Sequence, residues 1–218
     1  MTDPGLFVTL DGPSAVGKST TLAELDNLLR NDGRLVFRTA EPSGSALGQF
    51  TRAGAAFLTG HALACLVAAN RYEHVEVELR PMREAGFTVI SDRYLASSLV
   101  LQRLDGVDEQ FVLALNREIM LPDLAVILTA DPGEIAARLA KRGVRHRFHH
   151  DPDAPSREVD LYAEATQTLM GMGVQVLVLD STTTAPRDVA RRIADALPPH
   201  GSSVPRQPQQ PNNHTVNP

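Results

Sequence analysis

Residues Leu6 to Thr21 read LFVTLDGPSAVGKSTT, and this stretch constrains the chain more than any other. The apolar run Leu6, Phe7, Val8, Leu10 predicts a buried strand. It stops at Asp11, and the next eight residues, Gly12 to Ser19, fit the pattern G-x-x-x-x-G-K-[ST]. Glycines at both ends let the backbone curl so that successive N–H groups converge on phosphate oxygens. A helix starting near Lys18 adds the positive end of its dipole. In this chemistry Lys18 reaches the β/γ-phosphates and the Ser19 hydroxyl holds Mg²⁺. Strand, phosphate loop and helix in that order predict an α/β fold.

At 218 residues and 43% hydrophobic, the chain is expected to form one domain around one good-sized core. A net charge of -5 argues against a nucleic-acid partner, whose domain is usually basic. The single cysteine, Cys65, excludes an internal disulfide framework and a multi-cysteine metal site, and is expected to be a small buried hydrophobe. The polar start MTDPG does not read as a signal peptide, and no apolar run approaches the length of a membrane span. The expectation is a cytoplasmic protein with no membrane partner.

Further apolar runs predict strands over 34–39, 87–91, 124–129 and 174–179. Between them, helical spacing predicts helices over 19–30, 46–58, 62–84, 96–104, 108–120, 133–142, 157–172 and 186–196, with a kink or stop near Pro81. Strands alternating with helices imply a parallel sheet with right-handed crossovers, whose ligands bind at the carboxyl ends of the strands. Gly12–Ser19, Glu41–Gly44, Asp92–Tyr94 and Ala130–Pro132 each follow a strand, so they are expected to meet along one edge. The domain is predicted to cover 1–197, with a flexible basic lid at about 141–156. The Pro/Gln/Asn-rich tail 198–218 is expected to be disordered.

Asp92 and Arg93 leave a buried strand on the same edge as Lys18. There a carboxylate can hold Mg²⁺ or its waters, and a guanidinium can grip a phosphate with two hydrogen bonds. The basic run Arg138, Lys141, Arg142, Arg145, Arg147 reads as a flap that delivers arginine to the charge of a transferring phosphoryl group. The phosphate loop itself has no arginine, so that charge must be met from elsewhere, with Arg142 and Arg147 the best candidates. His146, His149 and His150 have no cysteine near them and are not expected to form a metal site. His74 is expected at the surface or an interface, and Asp151, Asp153 and Glu158 in solvent.

Together these stretches resemble the thymidylate (dTMP) kinases among the P-loop nucleoside monophosphate kinases. The resemblance runs from about Leu6 to Ala196. It rests on Gly12–Ser19, on Glu41-Pro-Ser-Gly-Ser-Ala-Leu-Gly48 with Arg52, on Ala69-Asn-Arg71-Tyr-Glu-His-Val, on Ile90-Ser-Asp-Arg-Tyr94 with Ser97-Ser98, on Pro122-Asp123-Leu124 and on Arg147-Phe148. It implies a three-layer α/β/α fold with a five-stranded parallel sheet, a homodimer, and transfer of the γ-phosphate of MgATP to dTMP. Carried over, Gly12, Pro13, Ser14, Ala15, Val16, Gly17, Lys18, Ser19 and Thr20 would hold ATP, and Ser19 and Asp92 the Mg²⁺. Arg93 and Arg52 would grip the acceptor phosphate, and Arg71 would face the acceptor base. Glu41, Val67, Ser98 and Leu101 would complete the acceptor site, and Arg142 and Arg147 the catalytic flap.

Four positions depart from the family pattern. Ser14 stands where the family has an acid that contacts the acceptor's sugar hydroxyl. Val67 replaces a base-stacking Phe, Leu101 a Tyr near the sugar 2′ position, and His149 a Glu in the flap. The alternative acceptor is therefore a ribonucleotide or a modified pyrimidine monophosphate. A further alternative is a nucleotide-binding protein without turnover.

Overall fold

The computed structural model describes residues 4–142 and 153–198. Most of the expected lid, with Arg145, His146, Arg147, His149, His150 and Asp151, lies outside the described residues, as does the tail from residue 199. Five strands, β1 (Phe7–Asp11), β2 (Val36–Ala40), β3 (Thr88–Asp92), β4 (Leu124–Thr129) and β5 (Val176–Asp180), form one parallel sheet in the order β2-β3-β1-β4-β5. The phosphate-loop strand is thus central, flanked by the strand that carries Asp92. This is the predicted α/β architecture.

Side chains alternate across the sheet, because successive Cβ atoms of a strand point to opposite faces. Phe7 joins Val89, Ala125 and Ile127 in one core layer, while Val8 and Leu10 join Ile90, Val126 and Leu128 in the other. The second layer is closed by Leu22, Leu25 and Leu29 of α1 (Lys18–Asn31) and by Val189 and Ile193 of α9 (Pro186–Ala196). The first is closed by Leu99 and Val100 of α5 (Leu95–Leu104) and by Tyr162, Ala165 and Leu169 of α8 (Ala154–Gly171). Each leucine buried in this way contributes about 2 kcal/mol relative to exposure. The result is helices on both faces of one sheet, the three-layer arrangement that the family resemblance implies.

Four helices differ from their predicted extents by a break or by three residues or more. The one predicted over 46–58 is α2 (Ala46–Gly54), four residues shorter at its end. The long helix predicted over 62–84 is α3 (Gly60–His74), a single π turn over Val75–Leu79, and α4 (Arg80–Glu84). The Arg80 N–H bonds the Val75 carbonyl, five residues back. Pro81 has no N–H to continue an α ladder, so the break falls just ahead of it. Helix α6 (Glu109–Leu115) stops short of Met120 because the Asn116 side chain takes the Val112 carbonyl at 2.7 Å and ends the ladder. Helix α8 begins at Ala154 rather than Arg157, with Pro155 in its first turn, where its missing N–H costs nothing. Among the described residues no helix is long and apolar enough to cross a membrane.

Candidate active site

The phosphate loop is shaped by two positions that demand glycine for different reasons. At Gly12 the backbone has φ 144°, and a Cβ would stand 2.4 Å from the Leu128 carbonyl oxygen. Neither strain nor space allows a side chain there. At Gly17, with φ 110°, a Cβ would meet nothing within 4 Å, so the requirement there is conformational only. Ala15 (φ 61°) takes the left-handed region without that freedom, which costs about 1 kcal/mol and is tolerated where the surroundings hold it.

Lys18 folds back over the loop it serves. Its Nζ donates to the carbonyls of Gly12 at 2.7 Å and Pro13 at 2.8 Å, and the residue is only 7% exposed. Burial, followed by the nearby Arg93 guanidinium, lowers its ammonium to about 7, while the carboxylates of Asp92, Glu158 and Asp11 work in the opposite direction. A lysine poised in this way gains a proton when a phosphate arrives. ATP binding at pH 8 is therefore expected to take up close to one proton, read as buffer-dependent binding enthalpy, and the uptake is expected to vanish in Lys18→Met. Equal uptake by both proteins would contradict the assignment. Linkage gives the sign: bound phosphate raises the folded-state pKa, so affinity falls as pH rises through about 7 and above.

Asp92 and Arg93 arrive from the neighbouring strand. Asp92 is in register with both Leu10 and Ala40, and the Arg93 N–H bonds the Leu10 carbonyl at 3.0 Å. Arg93 has φ 73°, an uncommon conformation for a side-chain-bearing residue and one that concentrates at functional sites. Its Nη1 donates to Ser97 Oγ at 3.2 Å. At the end of β1, Asp11 Oδ1 accepts from the N–H groups of Tyr94 and Ser97 at 3.0 Å each and from Ser97 Oγ at 2.7 Å. This carboxylate fastens the start of α5 to the phosphate-loop strand. Burial pushes its pKa up, against the pull of those hydrogen bonds and of Arg93.

Beside the loop lies a cavity of about 370 Å³ lined by Ser14, Glu41, Arg52, Val67, Arg71, Arg93, Ser98, Leu101 and Glu158, with Leu63 and Leu104 adding apolar wall. Every residue expected in the acceptor site therefore borders one space. Asp92 borders an adjoining recess that shares Arg52 and Pro42 with this cavity. Arg52, on α2 (Ala46–Gly54), is exposed and donates to the Pro42 carbonyl. Arg71 on α3 is 1% exposed and nearly saturated. Its Nε and Nη2 grip Glu41 Oε2 at 2.8 and 2.6 Å, Nη1 reaches Asn116 Oδ1 at 2.7 Å, and Nη2 also meets Ser98 Oγ at 2.8 Å and the Tyr94 carbonyl at 3.1 Å. The guanidinium also lies 5.0 Å from the centre of the Tyr94 ring. Burial opposes its charge, but Glu41 holds it above its ordinary value. Glu41 thus orients Arg71 rather than facing the cavity with a free carboxylate.

Three expectations are corrected. Glu158 is not solvated: it is 6% exposed and accepts from the Ser14 N–H. His74 is fully buried and bridges Thr39 Oγ1 at 2.8 Å and Glu41 Oε1 at 3.4 Å, because it sits on the inner face of α3 one turn after Arg71. Cys65 lies on the outer face of the same helix and is exposed. The sequence reading also missed Asp11 and Asn116, and gave Ser97 no role of its own. A signal for Glu158 exists in α8, whose buried positions Pro155, Glu158, Tyr162, Ala165 and Leu169 form one helical stripe that includes the acid.

Mg²⁺ asks for hard oxygen ligands and is usually held by one or two protein groups together with phosphates. The Asp92 Oδ1 atom is buried with no hydrogen-bond partner, and the Ser19 hydroxyl is exposed in the first turn of α1. No cluster of three or more His, Cys, Asp or Glu residues able to hold a metal occurs among the described residues. This donor set fits a magnesium ion shared with phosphate oxygens.

The chain is also similar to known proteins. The thymidylate kinase family model matches residues 10–188. A thymidylate kinase of Clavibacter sepedonicus is 36% identical over 189 residues, 81% of this chain and 87% of that protein. One of Leifsonia xyli subsp. xyli is 40% identical over 151 residues, 66% of this chain and 72% of that protein. A probable thymidylate kinase of Caldivirga maquilingensis is 35% identical over 154 residues, 68% of this chain and 74% of that protein. With a family model that matches most of its length and relatives of 35–40% identity over about two thirds of it or more, this chain belongs to the thymidylate kinase family.

Proposed function

We infer that this chain transfers the γ-phosphoryl group of ATP to dTMP, giving dTDP. The observation that carries the reading is the convergence of Lys18 and Arg93 at the carboxyl ends of β1 and β3, with Arg93 and Ser14 of the phosphate loop bordering the same cavity. In this reading Gly12 to Thr20, with the Lys18 ammonium, bind the donor phosphates, and Arg93 and Arg52 hold the acceptor phosphate. Arg71, fixed by Glu41, meets the base together with Ser98, while Val67 and Leu101 supply the aliphatic wall around it.

An acceptor phosphate oxygen bonds the γ-phosphorus as the bond to the β–γ bridging oxygen breaks. The nucleophile is already anionic, so the protein's task is to align the two phosphates and neutralise charge. Mg²⁺, held by Ser19 and Asp92, would supply further neutralisation on the donor oxygens. Arg142, at the described end of α7 (Pro132–Arg142), and Arg147, outside the described residues, are proposed to bring the flap charge that the loop lacks. The family resemblance also supports one domain over 1–197, a homodimer and a cytoplasmic location.

Arg93→Ala tests the acceptor assignment. It is expected to lower kcat/KM for dTMP by about 100-fold while leaving KM for ATP within about threefold. Normal dTMP kinetics in this variant would overturn the placement of the acceptor phosphate.

A further inference from the structure

Glu158 is the carboxylate in the acceptor cavity that the assignments above leave unused. Burying a carboxylate is costly unless hydrogen bonds repay it. Among the described residues, Glu158's hydrogen-bond partner is one amide, the Ser14 N–H, shared between Oε1 at 3.3 Å and Oε2 at 3.2 Å. A carboxylate has about four acceptor positions, so beyond the described amide Glu158 has room for a donor from the cavity it lines. Glu41, the other carboxylate among the described lining residues, is committed to Arg71. Glu158 lines this cavity with Arg93, and its partner Ser14 belongs to the phosphate loop, which places it at the phosphate end of the cavity.

A group that only accepts hydrogen bonds must meet a donor. At neutral pH the acceptor's phosphate is chiefly an acceptor itself. The N3–H of thymine lies across the ring from the sugar, at the far end of the molecule from the phosphate. The donor near the phosphate end is the sugar 3′-hydroxyl. We propose that Glu158 accepts a hydrogen bond from the 3′-hydroxyl of the deoxynucleotide acceptor and so selects acceptors that carry it. The proposal rests on the dTMP kinase reading. It gives α8 a part in substrate recognition, and the Ser14 amide ties that contact to the loop that holds the donor.

The test compares dTMP with 2′,3′-dideoxythymidine monophosphate, which lacks the hydroxyl, as acceptors for the full-length chain. The wild-type protein is expected to favour dTMP in kcat/KM by about 10- to 100-fold, the usual loss when a buried charged acceptor goes unpaired. In Glu158→Ala this ratio is expected to fall to within about threefold of unity, because dTMP loses rate and the dideoxy analogue does not. In Glu158→Gln, which keeps the shape and a carbonyl oxygen for the Ser14 amide, the ratio is expected to fall at least threefold; this variant decides the matter if the alanine protein fails to fold. A purely structural role would lower both acceptors together and preserve the ratio, which would overturn the proposal. So would a wild-type protein that does not discriminate. Efficient dTMP turnover with an unchanged ratio in the variants removes the Glu158 assignment alone, whereas no turnover of dTMP by the wild-type protein removes the kinase reading and this proposal with it.

Discussion

Lys18→Ala is expected to lower kcat/KM by about 1000-fold, or about 4 kcal/mol of transition-state stabilisation, while leaving the fold intact. The activity loss follows from the loop geometry. The Lys18 ammonium is the cation that the loop itself carries, and the developing charge of phosphoryl transfer falls on the oxygens it would hold. What the fold gives up is two hydrogen bonds, to the Gly12 and Pro13 carbonyls. Burial also works against the lysine's charge, so its removal relieves a cost. Steady-state kinetics and thermal melting check both halves. Turnover within tenfold of wild type would show that the donor phosphates are held elsewhere.

Glu41→Ala is expected to destabilise the protein by about 3–5 kcal/mol, because it leaves the Arg71 guanidinium buried without its counter-charge. For a protein of this size that corresponds to a fall in Tm of roughly 6–20 °C. His74, which also faces Glu41, adds to the loss. Replacing both partners, Glu41→Met with Arg71→Met, should recover part of the stability, since no unpaired charge then remains. The double variant should nevertheless lose dTMP binding, which separates the structural role of Glu41 from the substrate role of Arg71. A Glu41→Ala protein that melts within a degree or two of wild type would contradict the role assigned to this pair.

Much of the architecture was legible because it is local. The apolar run of β4 and the Pro-initiated helix α9 have the bounds that their periodicity predicts, Leu124–Thr129 and Pro186–Ala196. The phosphate loop announces itself through glycine spacing alone. The helix errors arose where a single side chain or a missing N–H ends a ladder, as at Asn116 and Pro81. In the site, Asp92 and Arg93 were readable because they stand at the end of a strand of known direction, whereas Arg52 and Arg71, which stand on helices, were expected only from the family resemblance. Asp11 and Glu158 were not, because their partners are remote: Asp11 meets Ser97 86 residues away, and Glu158 meets Ser14 144 residues away. No pattern of neighbours encodes such contacts, although a charged residue on the apolar stripe of α8 hints at one. Polar groups that the fold must satisfy at long range are found only once the elements are packed.

The most direct measurement is ATP-dependent turnover by the purified chain against a panel of nucleoside monophosphates, with kcat/KM determined for each. dTMP is predicted to stimulate ADP release and to have the highest kcat/KM of the panel. A panel led by UMP, CMP or a modified pyrimidine nucleotide, or ADP release that no monophosphate stimulates, would contradict the assignment of dTMP as the acceptor.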